Sequence, residues 1–292
     1  MRTAKRPLIA LCVFLLLILI VMLARPIKAW AANRAKVTDP HEGQVYIYDG
    51  FDWIWMTPLD GVPVNNITEH DFQWEGTCPK YIGDHYEALR GVDVSEHQHE
   101  IDWKAVKASG IDFAFIRVAR RGYSEGGLFA DEYYAENIRG AYEAGLQVGV
   151  YFFSQAINVQ EAVEEAEMTI GLLEPYRSCI TLPVVYDWEK IYDDSSARTA
   201  GLPTETLSDC AVAFCETVKS EGYIPGVYFN RHTGYYGFDL TRMDEYVLWF
   251  ALPEAKFPSF YYATDIWQYS FTEQIPGINT PTDMNLYFQP KT

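Results

Sequence analysis

The segment Leu182-Pro183-Val184-Val185-Tyr186-Asp187-Trp188-Glu189 ends in two carboxylates separated by one aromatic residue. A run this short, rich in valine and bounded by proline, reads as a buried strand, on which alternate side chains share a face. Asp187 and Glu189 then point the same way. Two acids on one face repel, which raises the pKa of at least one of them unless water or partners relieve it. One carboxyl held protonated beside one ionised is the equipment of general acid–base chemistry. An isolated D-x-E is more often a pair of solvated loop acids, so the decision rests on what else reaches the same place. Two further acids stand near expected strand ends: Asp93 in "RGVDVS" and Asp283 in "TPTDMNLY". Singly, each is as readily a cap or turn residue, Asp93 ahead of Ser95 being one case.

The elements that would position these acids follow from periodicity. Strands are expected at 91–94, 113–118, 147–153, 182–187, 226–229, 246–250 and 265–268, and helices at 103–109, 131–144, 158–173 and 206–220. Asn158 with Glu161 three residues on resembles a capping box, and Ala144-Gly145 supplies a helix stop. Repeated strand–helix units argue for parallel strands, closed into a barrel or wound into an open sheet. The later strands lack long helices between them, so any barrel is irregular. Functional groups in such barrels sit at the carboxyl ends of the strands. Asp93, the Asp187/Glu189 pair and Asp283 come from three separate regions yet all obey that rule, a coincidence much less expected than one D-x-E.

At this point the residues resemble a known family. "GVDVSEHQHEIDWKAVKASGIDFAFIRVARRG", "AYEAGLQVGVYFF", "LPVVYDWE" and the closing "IWQYS…IPGINTPTDMN" occur in order and together span residues 91 to about 285. They are similar to the family 25 glycoside hydrolases, the Chalaropsis-type lysozymes (N-acetylmuramidases). The resemblance implies an irregular, TIM-like (β/α) barrel that hydrolyses the β-1,4 bond between N-acetylmuramic acid and N-acetylglucosamine in peptidoglycan. It implies Glu189 as general acid/base, with Asp187 either orienting the substrate's 2-acetamido group or stabilising positive charge directly, and it carries Asp93 and Asp283 as the remaining catalytic acids. Tyr151, Trp249, Trp267 and Gln268 fall at binding-groove positions, although aromatic residues near strand ends serve equally as core. No metal or other cofactor is implied. Three positions depart from the pattern: Phe152 stands where a histidine is usual, His99 replaces a glycine, and Tyr186 replaces a leucine. His97 and His99 read as surface loop residues.

Composition fits a glycan-active exported protein. Of 292 residues, 21 are Tyr and 8 Trp, a surplus that permits sugar-stacking platforms without requiring them. Met1 to Pro7 carries three basic residues, and the uncharged run from Leu8 to Ala24 has the length, roughly 17–25 residues, of a bilayer span. The expectation is a signal anchor with the catalytic domain extracellular, or a secreted chain if Ala29-Trp30-Ala31 is cut. With no acidic group before residue 33, the remainder is more acidic than the whole chain's −17, which argues against a nucleic-acid partner. The cysteines form no C-x-x-C pair, so thiolate metal ligation is not supported; export permits a bond such as Cys78 with Cys179. The organisation expected is α/β: a tail and transmembrane helix at 1–32, a linker with a small β-hairpin segment at 33–90, and the barrel at 91–292. Peptidoglycan strands and the membrane are the expected partners. Two rival functions remain: a catalytically silent glycan-binding wall protein, and a chitin-type N-acetylglucosaminidase. The second is disfavoured because "LPVVYDWE" lacks the earlier aspartates of a D-x-x-D-x-D-x-E signature.

Overall fold

In the computed structural model, residues 39–191 and 194–291 are described. The expected transmembrane run lies outside them, and no helix among the described residues is long and apolar enough to cross a membrane. The chain divides into two compact units. The described part of the smaller one is 39–47 with 54–58, in which the His41 ring stacks on Trp55 at 4.0 Å.

The larger unit is built on a closed sheet. Strands β5 (Tyr86–Val94), β6 (Phe113–Arg121), β8 (Gln147–Ser154), β9 (Val184–Trp188), β10 (Pro225–Asn230), β11 (Val247–Ala251) and β12 (Ile266–Glu273) pair in parallel, each with the next. The eighth, β13 (Thr282–Pro290), runs antiparallel to both β12 and β5 and closes the ring. A short strand β7 (Leu128–Ala130) folds back on the end of β6. The crossovers carry helices α1 (Trp103–Ala108), α2 (Tyr134–Glu143), α3 (Val159–Leu173), α4 (Thr204–Ser220) and α5 (Arg231–Tyr236), whereas β11 reaches β12 without one. All seven expected strands and four expected helices are present; β13, β7 and α5 are additions.

Local sequence explains the ends of these elements. Asn158 caps α3, its side chain accepting from the Glu161 backbone N–H, while the Glu161 carboxylate accepts from Ile157 rather than closing the box on Asn158. Gly145, at φ +84, ends α2 in a left-handed turn that a residue with a Cβ would resist.

The barrel interior is filled by large side chains facing small ones. Phe113, Phe115, Val185, Tyr228, Trp249 and Ile266 form its buried cluster. Gly91 and Gly149 make room for it: a Cβ at Gly91 would lie 2.2 Å from Phe113, and one at Gly149 2.4 Å from Phe115. Ahead of the barrel, β1 (Val45–Tyr48) and β2 (Trp53–Met56) form one two-stranded sheet, and β3 (Phe72–Glu75) and β4 (Cys78–Tyr81) another. The segment 59–85 straps onto the barrel wall, with Asn65 donating to the carbonyls of Pro258 and Phe260 and Phe72 against Trp267. Cys78, Cys179, Cys210 and Cys215 are all free thiols, so the Cys78–Cys179 bond that export would permit is not formed.

Candidate active site

At the carboxyl end of the barrel is a cavity of about 320 Å³, and Asp93, Asp187, Glu189 and Asp283 all line it. Strand alternation delivers the first three. Asp187 is the fourth residue of β9 and Glu189 follows its last, so both turn inward while Trp188 between them faces away. Asp93 occupies the same inward phase of β5 as Gly91. Asp283 arrives by a different route: because β13 is reversed, its first residues lie at the carboxyl end of the other strands, and Asp283 is the register partner of Asp93.

Tyr151, Trp249 and Gln268 also line the cavity. Trp267 does not. The alternation that turns Gln268 inward turns Trp267 out of the barrel, where it is fully buried, packs edge-on against Phe72 and Trp74, and donates from Nε1 to the Leu252 carbonyl. Trp267 is therefore part of the packing beneath the strap, not of the groove expected from the resemblance.

The four acids are not equivalent. Asp93 Oδ2 accepts from both Gln268 Nε2 and Asn285 Nδ2 at 2.8 Å. Gln268 Nε2 also reaches Asp283 Oδ2 at 3.3 Å, and its Oε1 accepts from the Tyr228 hydroxyl. Trp249 Nε1 donates to Asn285 Oδ1. These bonds favour the charged form of Asp93, but burial outweighs them and its pKa is pushed up to about 6. Asp187 has no such relief: it is 4% exposed and its Oδ1 has no hydrogen-bond partner. Burial, then the charges of Glu189 and Asp93, raise its pKa well above the usual carboxylate range, with Arg117 opposing. Glu189 is raised to about 7 by burial and by Asp93, and Asp283 to about 8 by burial, Asp93 and Glu189. Removing four carboxyls from water in one cavity keeps them from ionising together, so the set holds protons at neutral pH.

Several groups in or beneath the cavity escaped sequence reasoning. Arg117 lies in the inward phase of β6 behind Phe113 and Phe115. It pairs with Glu96 Oε1 and Asp131 Oδ2, each at 2.9 Å, and thereby holds the 3-10 turn Glu96–Gln98, from which His97 and Gln98 reach the cavity. His97 thus belongs to the cavity wall, whereas the sequence suggested a surface loop alone. A polar residue in a strand's inward phase is a usable signal, and it also marks Asn285, two residues after Asp283. A bulge in the β6–β8 ladder between Arg117 and Ala119 shifts the alternation and turns Arg121 outward, where its Nε meets Glu165 at 2.7 Å. Of the departures, Phe152 and Tyr186 both face away from the cavity against Phe214. His99 sits at φ +54, a backbone region that favours glycine.

Residues 92–278 match the sequence profile of the glycosyl hydrolases family 25. The chain belongs to that family. The profile of this family 25 hydrolase takes in Asp93, Asp187, Glu189 and Gln268 and stops short of Asp283. Lysozyme M1 of Streptomyces globisporus is 27% identical over 206 residues, 68% of this chain and 67% of that protein. Among solved structures, the autolysin LytC of Streptococcus pneumoniae, in complex with a synthetic peptidoglycan ligand, superposes with a TM-score of 0.61 at 25% identity. That superposition covers 84% of this chain and 57% of LytC, so the chain spans a little over half of LytC's length. A family 25 glycosyl hydrolase from Bacillus anthracis gives a TM-score of 0.57 at 23% identity, over 70% of this chain and 90% of its own, a likeness of fold.

Proposed function

We propose that this family 25 hydrolase is a retaining lysozyme that cleaves the β-1,4 bond between N-acetylmuramic acid and N-acetylglucosamine in peptidoglycan. The observation that carries the reading is the convergence of four carboxyls in one cavity with unequal partners, Asp93 and Asp187 being buried and Glu189 and Asp283 only partly so. The barrel is of the irregular TIM-like kind, with its last strand reversed.

Chemistry follows from the placement. Glu189, held partly protonated near neutral pH by its surroundings, donates its proton to the glycosidic oxygen as the bond from the anomeric carbon to that oxygen breaks. The leaving sugar departs with the proton. The unpartnered Oδ1 of Asp187 is an acceptor for the N–H of a substrate 2-acetamido group, whose oxygen then closes on the anomeric carbon from the opposite face. That hydrogen bond favours the Asp187 anion, which compensates the developing positive charge. In the second half, the Glu189 carboxylate takes a proton from water as the water attacks the anomeric carbon and the acetamido group leaves; two inversions give retention. Arg117 counterbalances the charge, and the Tyr228–Gln268–Asp93–Asn285–Trp249 chain of hydrogen bonds fixes the floor. Tyr151 and the inner edge of Trp249 supply apolar surface to the sugar.

The basic N-terminus and the apolar run of residues 8–24 support a location at the outer face of the cell membrane, anchored by a single span, in remodelling of the cell's own wall. Protease accessibility on intact cells, with membrane extraction at high pH, tests that location. The reaction is tested by mass spectrometry of soluble products from purified peptidoglycan. Disaccharide-peptides ending in reducing N-acetylmuramic acid, absent with Glu189→Gln, are expected. Binding without products from the wild type would refute the reading in favour of a glycan-binding protein.

A further inference from the structure

The β8–β9 ladder ends at the pair Ser154–Trp188, one residue short of Glu189. The proton donor therefore sits just past the last rung, where no ladder partner holds its main chain. The residue that would face it in register is Gln155, and its side chain takes the missing place. Gln155 Nε2 donates to the Glu189 carbonyl at 2.8 Å. Its Oε1 accepts from the Thr199 hydroxyl, also at 2.8 Å. A carbonyl can only accept, so the amide has one possible orientation and both of its ends are engaged. Gln155 is fully buried and Thr199 is 3% exposed, which leaves water no easy access as a substitute partner.

Thr199 is itself held in place. Its neighbour Arg198 pairs with Glu161 Oε1 at 2.6 Å and donates its backbone N–H to the Tyr123 carbonyl at 2.9 Å. Glu161 lies in the first turn of α3, so the chain at Arg198–Thr199 is tied to that helix and to the loop after β6.

We propose that Gln155 and Thr199 are positioning residues for Glu189: together they extend the barrel by one rung and hold the carboxyl at the leaving oxygen. This rests on Glu189 being the proton donor. A misaimed donor loses transition-state stabilisation and leaves ground-state binding nearly intact.

The test measures kcat, KM and the pH profile on purified peptidoglycan with the full chain, for Gln155→Met, Thr199→Val, Thr199→Ser and the Gln155→Met/Thr199→Val double variant. Melting curves verify that each is folded. Gln155→Met is expected to lower kcat about tenfold, the loss of roughly one buried hydrogen bond, with KM changed by less than about twofold. Its alkaline limb is expected to move down as water reaches a loosened carboxyl. Thr199→Val acts in the same direction, Thr199→Ser restores activity, and the double variant is no worse than Gln155→Met alone. Unchanged kcat and pH limb in folded Gln155→Met, or Thr199→Ser as impaired as Thr199→Val, would overturn the proposal. If Gln155→Met does not fold, the Thr199 pair decides it by the same criterion. No product from the folded wild-type chain would remove the hydrolase reading and this proposal with it, whereas a fully active Gln155→Met removes the proposal alone.

Discussion

Replacing Asp93 by asparagine tests the electrostatic account of the proton donor. Glu189 is raised from an ordinary 4.5 to about 7, first by burial and then by the negative charge of Asp93. At pH 7 a carboxyl with the ordinary value would be about 0.3% protonated, and one at about 7 is about half protonated, a gain of more than a hundredfold in the acid form. Asparagine keeps the volume and removes the charge, so ionisation of Glu189 becomes easier and its pKa falls. Burial remains, so the value stays above 4.5. The Asp93 charge is the smaller of the two causes of that rise, which puts the expected displacement at about one pH unit, or roughly 1.4 kcal/mol. The readout is the alkaline limb of kcat/KM between pH 4 and 9, followed by release of reducing ends from soluble peptidoglycan fragments. The height of the profile will also fall, because Gln268 and Asn285 both donate to Asp93 Oδ2 and an amide at 93 brings its own donors towards them. Only the position of the limb is diagnostic. A limb that stays near 7, or moves up, would refute the claim that the Asp93 charge helps to keep Glu189 protonated.

Other consequences follow from the same geometry. Because the folded-state pKa of Glu189 is raised, the stability it contributes is present below about 4.5 and lost as pH rises through about 7. Glu189→Gln should therefore abolish turnover yet melt at a higher temperature than wild type at pH 8, with the difference vanishing near pH 4; equal melting at pH 8 would contradict the linkage. His99→Gly relieves a residue at φ +54. It should stabilise the fold by about 1 kcal/mol, net of the extra freedom glycine gains in the unfolded chain, and raise Tm by about 2–4 °C with activity retained; a lower Tm would show that the His99 contact with the Tyr133 ring outweighs the strain. Trp267→Phe loses the bond from Nε1 to Leu252 and part of a buried packing surface. It should cost about 1–3 kcal/mol in denaturant unfolding with KM unchanged; a raised KM would return Trp267 to the groove.

Much of this protein was legible in its sequence because the informative signals are local. Period-two alternation placed Asp187 and Glu189 on one face, and it also determines that Gln268 turns inward while Trp267 turns out, a consequence that the resemblance alone did not bring out. Turn and cap residues such as Gly145 and Asn158 act within a few positions of themselves, and their effects appear where expected. What the chain could not display is the pairing of remote segments. No strand is expected after residue 268, because β13 is defined by pairing with β12 and β5, against both of which it runs. Its reversal is what brings Asp283 beside Asp93 and Asn285 beneath it. Burial is equally non-local: the raised pKa values of the four acids arise mainly from desolvation by a ring of eight strands. Sequence determined which faces the acids occupy, since side-chain direction follows from local backbone geometry. Only the tertiary structure decided which acids meet and how dry they are, since those depend on closure between segments far apart in the chain.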